Sequence, residues 1–273
     1  LRAQNRAQDA ANALQAARQR HEGPMLADPA RAAWVSMLQV HQGLALRDAN
    51  KLPEALAIFE ASAKQFAGKP AGVEPAWRAG QCKYDMILAK LLPARAILAR
   101  SGVAPPELLA AQTAATEQWT ALRALATYFD QQLPLAEQAA KGSEAHQRMY
   151  YEAAWCYRLL GENEIADAKK KLRDDYQKKM QEAATKATPA GQPVPPVVAP
   201  EISLAQIPIQ PAETKSRDLY KGLITAADAT PLAQLARLEL ADVLSERGEN
   251  DPALALVVAA TDGVMPQTEE AIS

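Results

Sequence analysis

The sequence is short of the residues that most often stitch a fold together or carry chemistry. Aromatics are 5% of its 273 residues and only three are phenylalanine, so a core built mainly from large rings is excluded. Two cysteines, Cys82 and Cys156, are too few for a disulfide framework or a zinc site. Both fall in helical patterns, where a buried free thiol is the plain reading. The three histidines, His21, His41 and His146, stand far apart. His21-Glu22 lacks the second histidine of a zinc-protease helix, because Met25 occupies its place. No Gly-x-Gly pair and no Gly-x-Ser-x-Gly elbow occurs, and Gly68-Lys69-Pro70 lacks the Ser or Thr of a phosphate loop. No catalytic residue, metal or cofactor is therefore expected.

Charge of one sign is also lacking. Thirty Lys plus Arg stand against 32 Asp plus Glu, a net charge of −2. That balance gives no basic field for nucleic acid. No apolar run approaches the length of a membrane span.

What is present is helix. Hydrophobic residues reach 48%. Long stretches use Ala, Leu, Glu, Gln, Arg and Lys, which lose little entropy in a helix. Period-two alternation is almost missing, so the expected class is all-α. Prolines and glycines set the expected boundaries. Helices are expected over 2–22, stopped by Gly23-Pro24, and from Asp28-Pro29 to Arg47. The next runs from Pro53 to Gly68. Pro75 opens another, Pro93 a short one ending at Gly102, and Pro105-Pro106 a long one broken at Pro134. Ser143 caps a helix closed by Gly161, and its partner spans 163–186. Thr230-Pro231 and Asp251-Pro252 open two more, ending at Gly248 and at Asp262-Gly263.

Between these groups, 187–211 holds seven prolines and reads as an extended, semi-rigid spacer. Ile202–Ile209 is apolar enough to lie along a helical surface. The expected organisation is a helical array over 1–188, a proline-rich linker over 189–211 and C-terminal helices over 212–273. The chain starts at Leu1 and ends in what reads as a fresh helix start, so a piece of a longer protein is expected.

Three windows align on a 34-residue helix-turn-helix pattern. The clearest has Tyr150, Ala154, Tyr157, Gly161 at the turn and Ala166. A second has Gly43, Leu46, Asn50 at the turn, Ala55 and Phe59, with Gln39 at an early place usually aromatic. A third has Leu240, Ala241, Leu244, Gly248, Ala253, Val257 and Ala260, then Pro266, with Arg237 at that early place. Gly80 and Ala94 suggest a further degenerate unit. On these residues, about half the chain resembles the tetratricopeptide-repeat family. The Ala-rich, irregularly connected look is similar to the cell-envelope members of bacteria. The resemblance implies a right-handed superhelix of helix pairs that binds proteins or peptides, and a periplasmic or envelope location.

One helix carries two stripes. Tyr150, Ala154 and Tyr157 form the first, and Arg148, Tyr151, Trp155 and Arg158 the second. The resemblance places the second on the concave, ligand-gripping face, where Arg beside Tyr and Trp suits an acidic or carboxylate segment. The plainer alternative, preferred because long aromatics are usually buried, packs Tyr151 and Trp155 on the preceding helix. Trp34, Trp77 and Trp119 read as core, and Lys169-Lys170-Lys171 as a solvated face. The expected function is a non-enzymatic interaction scaffold with proteins or peptides as partners. The alternative is a structural spacer or self-assembling segment, for which homo-oligomerisation would speak.

Overall fold

The computed structural model describes residues 6–187 and 198–261, and among them all regular structure is helical. Nine α-helices are described: α1 Ala7–Ala27, α2 Ala32–Asp48, α3 Leu52–Gln65, α4 Pro70–Leu98, α5 Pro105–Ala140, α6 Glu144–Ala187, α7 Pro211–Ala226, α8 Pro231–Glu246 and α9 Asn250–Thr261. The chain divides into two compact units, Leu1–Cys156 and Tyr157–Ser273, with the division inside α6. Prolines 189, 193, 195 and 196 of the expected linker, residues 2–5 of the first helix, and Gly263 and Pro266 lie outside the described residues.

Several expected breaks are not breaks. Gly23 and Pro24 lie within α1, Pro75 and Pro93 within α4, and Pro134 within α5. A proline in a helix leaves the carbonyl four residues back without its N–H. For the buried Pro75 that carbonyl belongs to Ala71, and the Ser36 hydroxyl of α2 donates to it instead. Pro24, Pro93 and Pro134 are exposed. The carbonyls they orphan lie on the same helix face, where water can satisfy them. The prolines therefore cost little helix continuity. Gly161 likewise does not close a helix: α6 runs through it to Ala187. The window built on Tyr150, Ala154, Tyr157, Gly161 and Ala166 thus lies on one helix, and the turn expected there is corrected.

The other two windows do fold as helix, turn, helix. Asn50 takes the left-handed conformation, with φ 59°, between α2 and α3, and Gly248 does so, with φ 79°, between α8 and α9. The residues standing where the pattern is usually aromatic are buried and hydrogen-bonded. Gln39 donates to Glu22 and Gln65, both at 2.9 Å, and Arg237 pairs with Asp228.

In the N-terminal unit each helix packs on the next from α1 to α5, and α2 also packs on α4. Small residues set the spacing. Gly43 of α2 receives the ring of the fully buried Phe59 from α3; a Cβ there would stand 2.5 Å from that ring. Gly80 of α4 receives Phe129 of α5 in the same way, again at 2.5 Å. Around the first notch lie Val40, Ala45, Leu46, Ala55, Ala79 and Cys82. Leu91, Ala94 and Ala115 form a second cluster with Trp119 against it. Trp77 is buried, but Trp34, expected in the core, is 55% exposed, because α2 turns its Val35, Ser36 and Gln39 inward.

In the C-terminal unit α7 packs on α8 and α8 on α9, around Tyr220, Leu223, Ala233 and Leu240. The segment before α7 docks: Ile207 is buried, and Arg247 donates to the carbonyls of Leu204 and Ile207. Glu213 is buried between Arg217, at 2.8 Å, and Arg247. Gly161 is where α6 meets this end of α7, since a Cβ would stand 3.1 Å from the Glu213 nitrogen. Its role is close approach rather than a turn. Beyond it, residues 170–183 of α6 are exposed on every side, as expected for the lysine-rich run.

Two outcomes follow. Gly43→Ala gains about 1 kcal/mol of helix propensity yet forces Phe59 from its notch, a cost of about 1–3 kcal/mol. Urea unfolding should show net destabilisation, relieved when Phe59→Leu is added. A helix with no buried face opens locally. Limited trypsin digestion should therefore cut first at Lys169–Lys171 and Lys178–Lys179, well before any site in α2–α5.

Candidate functional site

The side chains most concentrated in chemistry lie in the N-terminal unit, on one face of α4 and the helices beside it. The 3.6-residue period puts Trp77, Arg78, Gln81, Tyr84 and Asp85 of α4 on a common side. α2 supplies Arg47 to that side, and the start of α6 supplies Glu152 and Trp155, with Arg148 beside them.

Arg47 anchors the first half. Its Nε and Nη2 both donate to Asp85 Oδ2, at 2.9 and 2.7 Å, and its Nη1 donates to Gln81 Oε1 at 2.5 Å. Arg78 donates to the same Gln81 oxygen at 3.1 Å, and its guanidinium lies 3.7 Å from the centre of the Trp77 ring. Two cations thus share one neutral amide oxygen. Burial, the largest influence, lowers the pKa of Arg78, offset in part by Glu74.

Glu152 anchors the second half. The Trp77 indole N–H donates to its Oε1 at 2.8 Å and the Gln81 amide does so at 3.4 Å. Its Oε2 is buried with no protein partner, as is the Nε of Arg78. Burial pushes the Glu152 carboxyl up to about 7, against the opposing pull of the indole N–H and Arg78. The Trp155 indole donates to the Tyr84 hydroxyl. Burial raises the pKa of Tyr84, so that hydroxyl stays protonated. Cys82, buried nearby, has its thiol pushed up to about 11 by the same cause and is an inert packing group.

The four residues singled out in the sequence fall as follows. Arg148 pairs with Glu144 at 3.0 Å and lies 5.6 Å from the Trp77 ring centre. Tyr151 is half-buried on the same helix. Trp155 is half-buried against Tyr84. Arg158 belongs to the C-terminal unit, where Glu239 and Asp242 of α8 hold its guanidinium. Burial works to lower the pKa of Arg158, and these carboxylates more than offset it. Sequence reasoning missed Arg47, Arg78, Gln81, Tyr84, Asp85 and Glu152. The spacing of 77, 78, 81, 84 and 85 was a signal on one helix, but the members from α2 and α6 come together only through packing. Among the described residues, no group of three or more His, Cys, Asp or Glu is placed to hold a metal ion. No described helix is long and apolar enough to cross a membrane.

A carboxyl whose pKa is higher folded than unfolded binds extra protons in the native state. Its contribution to stability is then present at low pH and lost as pH rises from the ordinary 4.5 to about 7. Glu152→Gln keeps an acceptor for Trp77 and removes the titration. Relative to the wild type, the variant should gain about 1–3 kcal/mol in urea unfolding between pH 4.5 and pH 8. A constant difference across that range would show that the carboxyl titrates normally. In comparisons with known proteins, no family model and no curated protein matches the chain.

Proposed function

We propose that the protein is a non-enzymatic scaffold of tetratricopeptide type, stacked as a superhelix. It would bind segments of other proteins across the face of α2, α4 and the start of α6. The helix-turn-helix folding of the windows around Asn50 and Gly248 supports the repeat reading. The observation that carries the binding reading is the convergence of Arg47 and Arg78 on Gln81 Oε1. Arg47 has the Asp85 carboxylate and Arg78 the Glu74 carboxylate, and the neutral amide oxygen they share is the weakest acceptor of the set. A carboxylate from an incoming segment would meet both with charge-assisted bonds. Tyr151 and Trp155, both half-buried, supply the aromatic surface that usually accompanies such anchors.

A second reading has one observation in its favour. Leu172, Tyr176 and Met180 are 40%, 37% and 41% exposed and recur every four residues on α6. A stripe of that kind suits pairing with another helix, hence a self-assembling or spacer segment.

Affinity capture from source-cell extract separates the two. The intact protein should retain specific proteins that an Arg47→Ala/Arg148→Ala/Tyr151→Ala variant, folded by circular dichroism, loses by about tenfold or more. If both retain the same set, this face is packing. A mass that rises with concentration in sedimentation, and falls with Tyr176→Glu, would then establish self-assembly.

A further inference from the structure

α4 has a second side. The residues about half a turn away from Gln81 are Ala76, Lys83, Met86, Ile87 and Lys90. Above them α3 and α5 each pack on α4, without comparable packing on each other. Their separation leaves a groove floored by α4. Two cavities lie along it, about 340 Å³ beside Leu56, Met86, Ile87 and Ala121, and about 290 Å³ beside Ala63, Val73, Ala76 and Leu135. Tyr128 lines both. Its hydroxyl donates to the Ala76 carbonyl at 2.7 Å, and Lys83 bridges the ridge, 4.2 Å from the Tyr128 ring centre and 2.8 Å from Glu60.

We propose that this groove docks an amphipathic α-helix of a partner protein whose flanking residues are acidic. Three observations select that occupant. First, the α5 wall reads Gln118, Ala121, Tyr128, Gln132, Leu135 and Ala139, all at offsets of three, four or seven, the spacing into which a second helix interdigitates. Second, that wall is about 30 Å long at 1.5 Å per residue, so a helix of about 20 residues spans it. The cavities sit about 12 residues apart along it, placing two apolar anchors roughly three turns from one another. Third, the lining carries four lysines, Lys64, Lys69, Lys83 and Lys90, and one glutamate, Glu60, already held by Lys83. Among the described residues Lys64, Lys69 and Lys90 have no ion-pair partner. In a chain of net charge −2, this is a local basic excess over an apolar floor. Being recessed between two helices, the floor is open to a rod and closed to a flat membrane.

The probe is a fluorescent helical peptide of about 20 residues with Leu at heptad positions a and d and Glu at the flanking positions; its control carries Lys in place of Glu. Anisotropy with the full chain should show that the Glu peptide binds and the Lys peptide does not. Lys64→Glu/Lys90→Glu, which alters only exposed side chains, should weaken the Glu peptide by about tenfold or more and admit the Lys peptide. Leu135→Glu, at a position 44% exposed, should weaken the Glu peptide as well. Arg47→Ala/Arg148→Ala should change neither, which keeps this surface distinct from the opposite face of α4. The proposal is overturned if neither peptide binds, if both bind alike, if the groove variants leave binding unchanged, or if binding is lost with the arginine variant instead. It is equally overturned if phosphatidylglycerol vesicles bind the protein through Lys64 and Lys90 while the peptide does not.

Discussion

The pairing of α2 with α3 and of α4 with α5 in the N-terminal unit rests on large rings being received by glycines. The chain has three phenylalanines, and each meets a glycine of a helix: Phe59 at Gly43, Phe129 at Gly80, and the backbone of Phe66 at Gly72. Alanine fills about half of the other buried apolar positions, and alanine contacts alone bury little apolar surface per residue. The rings supply the bulk, and a missing Cβ supplies the room. Phe59 and Phe129 are fully buried, so each is worth several kcal/mol, on the order of 3–5 by comparison with truncations of buried rings. The two notches fix α3 against α2 and α5 against α4. With the flanks of α4 committed in this way, two of its sides are left for other uses, one lined by arginines and one by lysines.

The C-terminal unit depends on a different device. Its glycine contact, Gly161 against Glu213, admits backbone rather than a ring, and beside it sits a buried carboxylate between two guanidiniums. A buried ion pair of this kind is weak evidence of stability, because the desolvation of three charges offsets most of their attraction. Removing one member is another matter, since it strands the others uncompensated. What the arrangement does supply is register. Arg247 reads the carbonyls of Leu204 and Ile207 as well as Glu213, so one arginine at the end of α8 locates both the docked segment and the start of α7.

The sequence shows how much of this can be read from pattern. Helical class and the turns at Asn50 and Gly248 follow from spacing and from φ preference, which are local. The prolines misled because their effect is not local: whether Pro75 breaks a helix depends on Ser36, thirty-five residues upstream of Ala71 in sequence, reaching the orphaned carbonyl of Ala71. Gly161 misled because a glycine serves equally for a left-handed turn and for close approach, and only the identity of the neighbour distinguishes them. The stripe Arg148, Tyr151 and Trp155 was legible on its own helix. Its setting was not, because Arg47 and Gln81 join it from α2 and α4 by packing alone. Gln39 and Arg237 looked like departures from an aromatic pattern, and their hydrogen-bond partners could not be read from their neighbours in sequence.

The two sides of α4 also differ in how they could discriminate. On the arginine side each guanidinium is planar, partly buried and already fixed: Arg47 by Asp85, Arg78 by the Trp77 ring. Such groups respond to geometry, accepting an oxygen only where two fixed donors converge, and they lose little entropy when it arrives. On the lysine side the ammonium groups stand on flexible stems around an apolar floor, and only Lys83 is held. Those groups respond to net charge with little demand on position, while shape selection falls to the cavities beneath them. Under the proposed function, a partner meeting the first side would present a carboxylate at one place. A partner meeting the second need only present apolar side chains at helical spacing and carry enough negative charge beside them. One helix can serve both because its period separates the two sets of residues by half a turn.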